Sequence, residues 1–400
     1  LFFNQTNANN LIILLFVFSF QGVNNQGNDN VKTFDLKKIP KISSIRLSDL
    51  GFVDIEYIQL ESNEQCMISS LDDLDPGNKL VFGERNCIIQ QYSTILEFKT
   101  DGKFITRIGT KGRGPNEFTA VHDVNICARN QYIYLLARWQ KKFFVYAENG
   151  KLLRTFPVTF SPSEFQFIDD KILCYSENHM GDIQNSYTLI DTNGKVIKFF
   201  PNKYPFKNHD AYGIKGENLF YMFDNKLFKK EVYSDTIYLY DNGTFTPHMV
   251  IQVGEKLISP ESRTKFESRY LAENFIIPLN LFEFGDYIYY EFVYKYVIPN
   301  DVLIYSFIGS KINNFKVIIN TGQGFTNDLD GGPGFFPKTI KDDNTIIGWV
   351  DAQKLKSHVA SKEFKNSKPK YPEKKKELEK LANSLKETDN PVLVLVSLKK

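Results

Sequence analysis

The sequence predicts an all-β chain, a six-bladed β-propeller closed by mixed N- and C-terminal strands, with short helical insertions. Three observations carry that expectation. Turn glycines recur at Gly102, Gly150, Gly194, Gly243 and, more weakly, Gly309, spaced by 48, 44, 49 and 66 residues. A four-stranded blade has a period near 45, so the last interval needs an insertion. The stretches between the glycines draw on 35 Phe and 21 Tyr against 2 Trp and 4 Met, a choice that suits strands better than helices. An alternating stretch near the start, Asp54 to Leu60, and an apolar one near the end, Pro391 to Leu398, offer strands that one closing blade can share.

In chain order, Leu11 to Phe20 is an uninterrupted apolar run of ten, too short to span a bilayer and of the length of a secretory signal core. Residues 1–22 are therefore expected to be a signal peptide, and residues 23–30 a polar tether. No methionine or basic residue precedes the run, so a few residues are expected to stand before Leu1 in the full polypeptide. The propeller is expected to occupy residues 31–400. Its first blade spans about Met67 to Ile108, where Phe98 precedes an Asp101-Gly102 turn and Phe104, Thr106 and Ile108 alternate after it. The second runs from Phe118 to Val158, the third from Phe165 to Phe200, the fourth from Ala211 to Val253 and the fifth from Phe275 to Ile319. The sixth begins near Asp328. Ser259 as a cap, Pro260 in the first turn, and Phe266 with Tyr270 on one face predict a helix within 259–274.

Between Ala352 and Asn390 the chain holds 11 Lys against 6 acidic residues. Leu378, Leu381, Ala382 and Leu385 behind Pro372 predict an amphipathic helix in a loop of the last blade. It reads as a solvated helix covering blade edges, or as a basic lid over one propeller face. The whole chain has a net charge of only +2, which gives no electrostatic case for nucleic acid. Four cysteines, Cys66, Cys87, Cys127 and Cys174, are permitted disulfides by export, but their apolar strand settings favour buried free thiols.

The order F-x-x-D-G-K at Phe98 to Lys103, G-R-G-P-N-E-F at Gly112 to Phe118, N-D-L-D-G-G-P at Asn327 to Pro333, then a Lys-rich helix before an apolar strand, resembles the bacterial six-bladed β-propeller lipoproteins, a largely uncharacterised family with NHL-like blades. The resemblance implies an exported protein of the periplasm or outer membrane, with no reaction to carry over. A lipoprotein would place cysteine where this chain has Val23, so membrane association is expected only with lipidation.

Candidate chemistry is sparse. The Gly109 to Gly114 loop lacks the strand and helix context of a phosphate cradle and reads as a crossing between blades, from which Arg113, Asn116 and Glu117 can reach the propeller mouth. His122 and Asp123 fall near the start of the innermost strand of blade two, although adjacent strand residues face opposite sides. Arg138 and Trp139 place a cation beside an indole, which reads first as a blade-rim residue with a charged neighbour and second as a surface for stacking a sugar or an aromatic ligand. Asp328 and Asp330 form the best carboxylate cluster. They lack the longer ligand series of a calcium loop and read first as a structural turn at the start of a blade; Ca²⁺ is the one cofactor left open, and no His-metal spacing occurs. The expected function is a monomeric binding or scaffolding propeller recognising a glycan, peptide or envelope protein through one face. The alternative is a metal-dependent, lactonase-like hydrolase or lyase with its site at the central channel.

Overall fold

The computed structural model describes residues 31–69, 78–207, 212–295, 304–320 and 322–399. Residues 1–30, with the expected signal and tether, lie outside the described residues. Strands form where aromatic and β-branched runs are punctuated by left-handed turn positions. Gly102, Gly150, Gly194 and Gly243 all have positive φ, between +73° and +88°, and each sits between the third and fourth strands of its blade.

Six sheets result. Blade one comprises Asn78–Phe82, Asn86–Gln91, Thr94–Lys99 and Phe104–Arg107; blade two Asp123–Ile126, Ile133–Ala137, Lys142–Tyr146 and Leu152–Pro157. Blade three is Glu164–Ile168, Lys171–Tyr175, Asn185–Asp191 and Val196–Pro201; blade four Asn218–Phe223, Lys226–Glu231, Thr236–Asp241 and Thr244–Gln252. Blade five is Ile277–Phe284, Tyr287–Val293, Ile304–Ser310 and Lys316–Asn320. Blade six takes Thr339–Asp342, Thr345–Val350 and Val392–Leu398 from the C-terminal part and Phe52–Gln59 from the N-terminal part. The closing pair is antiparallel, with Ile55 opposite Val396 and Tyr57 opposite Val394. First strands of successive blades neighbour one another around the ring and blade six returns to blade one, except that blade three's first strand meets chiefly the second strand of blade four.

Each blade is pressed between two others, so its middle strands are buried on both faces. Ile133–Ala137 is buried throughout, while Val196–Pro201, an outer strand, is largely exposed. The inner strands have a free edge whose backbone groups need partners. Polar side chains of neighbouring blades supply them. Phe165 donates its N–H to Asp123 Oδ2 at 2.8 Å and accepts from Asn125 Nδ2 at 2.6 Å, and Asn280 Nδ2 donates to the Lys338 carbonyl at 2.7 Å.

The closure also depends on Gly102. A Cβ there would stand 2.1 Å from the Gln59 carbonyl oxygen, and Glu61 N–H donates to the Gly102 carbonyl at 2.8 Å, so the first blade's hairpin docks on the last blade's outer strand.

Two features depart from expectation. Gly309 lies inside the strand Ile304–Ser310 rather than at a turn; the chain reverses after it, with Ser310 N–H donating to the Phe315 carbonyl. Its small size serves a close approach instead, because a Cβ would meet Phe34 at 2.4 Å. Phe34 belongs to an unforeseen strand, Lys32–Asp35, which runs parallel to Thr244–Gln252 and widens blade four to five strands.

The insertion before blade five holds two short helices, α1 (Pro260–Lys265) and α2 (Ser268–Asn274), with Ser259 capping α1. The lysine-rich segment folds as α3 (Ala352–Ala360), α4 (Lys362–Asn366) and α5 (Pro372–Ser384). They bury Leu355, Val359, Phe364, Leu378 and Ala382 in a small core beside Val392. Part of the lysine excess is structural. Lys356 Nζ donates to the Ala382 and Leu385 carbonyls at 3.1 and 2.7 Å, where α5 leaves acceptors unpaired, and Lys374 Nζ pairs with Asp54 at 2.6 Å.

Candidate functional site

In a four-stranded meander, the connection into the first strand and the one between second and third strands lie at the same end. The two tight hairpins lie at the other. Here, among the described residues, one end carries short turns such as Asp101-Gly102 and Asn149-Gly150. The opposite end carries the glycine-rich crossing at 108–122, the 176–184 and 322–338 loops, and the five α-helices found among the described residues. The sequence-derived candidates also fall at that end, in separate places.

The best-formed constellation lies between blades two and three. Arg138, Trp139 and Gln140 make a single 3₁₀ turn between the second and third strands of blade two, ended by Lys141 at φ +48°. That turn leaves the Trp139 indole standing out, 71% exposed. His122 closes edge-on against it, 5.3 Å between ring centroids, and its Nδ1 accepts the Arg138 backbone N–H at 3.3 Å. Burial, then the Arg138 charge, holds the His122 imidazole below its ordinary range, so the ring is neutral at pH 7.

The Arg138 guanidinium lies 5.1 Å from the indole centroid and pairs with Glu177 from the 176–184 loop of blade three. Glu177 also faces His179 Nε2 at 2.8 Å. Burial alone would raise the Glu177 carboxyl, but His179 and Arg138 together hold it below its usual range. The indole is therefore backed by an ionised, cross-braced layer.

Beneath that layer lie two more acids. Glu164, half-buried at the start of blade three, accepts from Asn218 Nδ2 at 3.0 Å, and burial pushes its carboxyl up to about 8. Glu217 accepts the Tyr175 hydroxyl and the Asn178 N–H, each at 2.7 Å, and burial raises it as well. Among the described residues, no three His, Cys, Asp or Glu side chains converge as a metal set. Chemically the arrangement offers an exposed π-face with an adjacent cation, on a rigid base.

Of the sequence candidates, the structure brings His122, Arg138 and Trp139 together. The glycine-rich loop sits beside them: Gln140 Nε2 donates to the Glu117 carbonyl at 3.0 Å, and Thr119 N–H donates to Gln140 Oε1 at 2.9 Å. Glu117 itself is turned inward, accepting the Gly114 N–H at 2.8 Å, while Arg113 and Asn116 are exposed. Asp123 faces the ring's centre, where it pairs with Lys79 at 2.6 Å. Asp328 and Asp330 lie between blades five and six in separate networks. Asp328 accepts from Ser48 N–H and Oγ, and Asp330 Oδ1 accepts from Asn327 Nδ2, Gly332 N–H and the Tyr57 hydroxyl. Sequence reasoning missed Glu164, Glu177, His179 and Glu217. The available signal was weak, a charged residue directly after a buried strand, as in the Cys174-Tyr175-Ser176-Glu177 run.

All four cysteines are buried and unpaired. Among the described residues, no helix is long and apolar enough to cross a membrane.

No curated protein sequence matches the chain. Among solved structures, a protein of Bacteroides fragilis provisionally assigned to export aligns with a TM-score of 0.69 at 17% identity, over 93% of this chain and 100% of its own. A member of the DUF4221 family from Bacteroides vulgatus aligns with a TM-score of 0.52 at 12% identity, over 87% of this chain and 98% of its own. Identities this low speak to the fold alone. Residues 31–397, which span all six blades, match one family over their whole length, and the chain belongs to it: the family described as Domain of unknown function, DUF4934.

Proposed function

We propose that this is an exported binding propeller of the cell envelope that holds a glycan or peptide ligand on its loop-bearing end, with Trp139 as the stacking platform. The observation that carries the reading is the Trp139 indole, exposed yet braced by His122 and by the Arg138–Glu177 pair. A large aromatic ring costs free energy to leave in water, and a braced ring loses little entropy on meeting a ligand. The neighbouring Arg138 cation suits hydroxyl-rich or carbonyl-bearing ligands. Export is supported by the Leu11 to Phe20 apolar run and by the likeness to the Bacteroides fragilis protein.

The test is a panel of envelope-type oligosaccharides and peptides presented to the purified propeller and to Trp139→Ala. A ligand retained by the parent should be lost by at least about tenfold in the variant, since a stacked ring contributes roughly 1–3 kcal/mol. The variant should keep the parent's melting temperature. A retained ligand whose affinity ignores Trp139→Ala would place recognition elsewhere.

A further inference from the structure

A cavity of about 210 Å³ opens on the flank between blades three and four, away from the Trp139 turn. Its walls are aromatic: Tyr187 and Phe200 from blade three and Phe245 from blade four. Its charges are mostly of one sign. Lys198, Lys203 and Lys229 line it against a single carboxylate, Glu231.

Lys229 and Glu231 lie two residues apart on one strand, so both side chains face the cavity, and they pair with each other. Both are almost wholly buried, 3% and 4% exposed at their side chains. The Lys229 ammonium also stands 4.4 Å from the Tyr187 ring centroid, 4.7 Å from Phe245 and 5.0 Å from Tyr238. Burial pushes it below the ordinary lysine range although Glu231 opposes this, so the cavity floor is a buried, self-paired ion set among aromatic rings, and the surplus positive charge stands with Lys198 and Lys203. At the mouth, Lys198 Nζ donates to the Gly243 carbonyl at 2.6 Å and lies over Phe200, while Lys203 lies over Tyr238. Both mouth lysines are exposed.

We propose that this inter-blade cavity binds a small aromatic carboxylate, its ring against Tyr187, Phe200 and Phe245 and its carboxylate at the lysines. The mostly apolar lining offers few partners for the hydroxyls of a sugar enclosed in it, and suits a flat aromatic ring better. With Lys229 paired to Glu231, the two remaining lysines, Lys198 and Lys203, repel an ammonium ligand and favour an acid over its neutral amide. The site is independent of the Trp139 reading.

The experiment titrates the purified propeller with indole-3-acetate, indole-3-acetamide and tryptamine, which share a ring and differ in charge, following tyrosine fluorescence and calorimetry. The acid should bind about tenfold or more tighter than the amide, and tryptamine should not bind, because partly desolvated charge pairs contribute on that scale. Lys198→Met with Lys203→Met, at exposed positions that leave the fold intact, should abolish the preference for the acid. Trp139→Ala should leave it unchanged. Equal affinity for acid and amide, persistence of the preference in the double variant, or no binding by any of the three at millimolar concentration would each overturn the proposal.

Discussion

Glu164→Gln is expected to make the propeller more stable at neutral and alkaline pH, and the size of the effect follows from the site. The Glu164 carboxyl is pushed from 4.5 up to about 8, first by burial, with Asp123 and Glu177 adding negative charge nearby. Between those two values the folded state holds a proton that the unfolded chain has released. Stability therefore falls as pH rises from about 4.5 to about 8, and the loss is complete above that. At 1.36 kcal/mol per pK unit the shift corresponds to about 5 kcal/mol as an upper bound. The residue is only half-buried, and solvent screening reduces the expectation to about 2 kcal/mol. Glutamine carries no charge to release and retains an oxygen for the 3.0 Å bond from Asn218 Nδ2. Urea unfolding of both proteins from pH 4 to pH 9 should therefore give curves that coincide near pH 4 and diverge until the variant leads by about 2 kcal/mol above pH 8. A difference independent of pH, or a variant less stable at pH 8, would refute the reasoning.

Three further outcomes are expected. Gly102→Val should destabilise the protein by about 2–4 kcal/mol in thermal unfolding, because φ is +88° and the added Cβ meets Gln59; an unchanged melting temperature would mean the hairpin does not dock there. Asp123→Ala should cost about 2–3 kcal/mol, since it strands the Phe165 N–H at the inner ring, and hydrogen exchange at Phe165 should quicken. The four thiols should resist Ellman's reagent until the protein is denatured, because all are buried and burial pushes the Cys87 thiol up to about 12; fast labelling of the native protein would contradict the packing.

Much of the architecture was readable because a hairpin turn is a local event. The left-handed positions at Gly102, Gly150, Gly194 and Gly243 announce themselves through one residue type, and each closes the same pair of strands in its blade. The regularity failed at Gly309, where a glycine answered to Phe34 across the sheet rather than to its own turn. Blade six has no such hairpin, because its fourth strand arrives from the other end of the chain. Strand Lys32–Asp35 escaped notice for a related reason: four residues are too few for a period to show.

The candidate site divides along the same line. Arg138 and Trp139 are neighbours in the chain and their pairing was visible; Glu177 and His179 come from another blade and were not. By itself the sequence determined strand alternation, turn chemistry, helix caps and the two strands that close the ring, since these depend on backbone preferences within a few residues. Only the tertiary structure decided that Glu177 braces Arg138, that Asp123 serves the inner ring, and that Lys229 lies in an aromatic cavity. Those distances arise from rigid blades packing face to face, and no short-range preference encodes them.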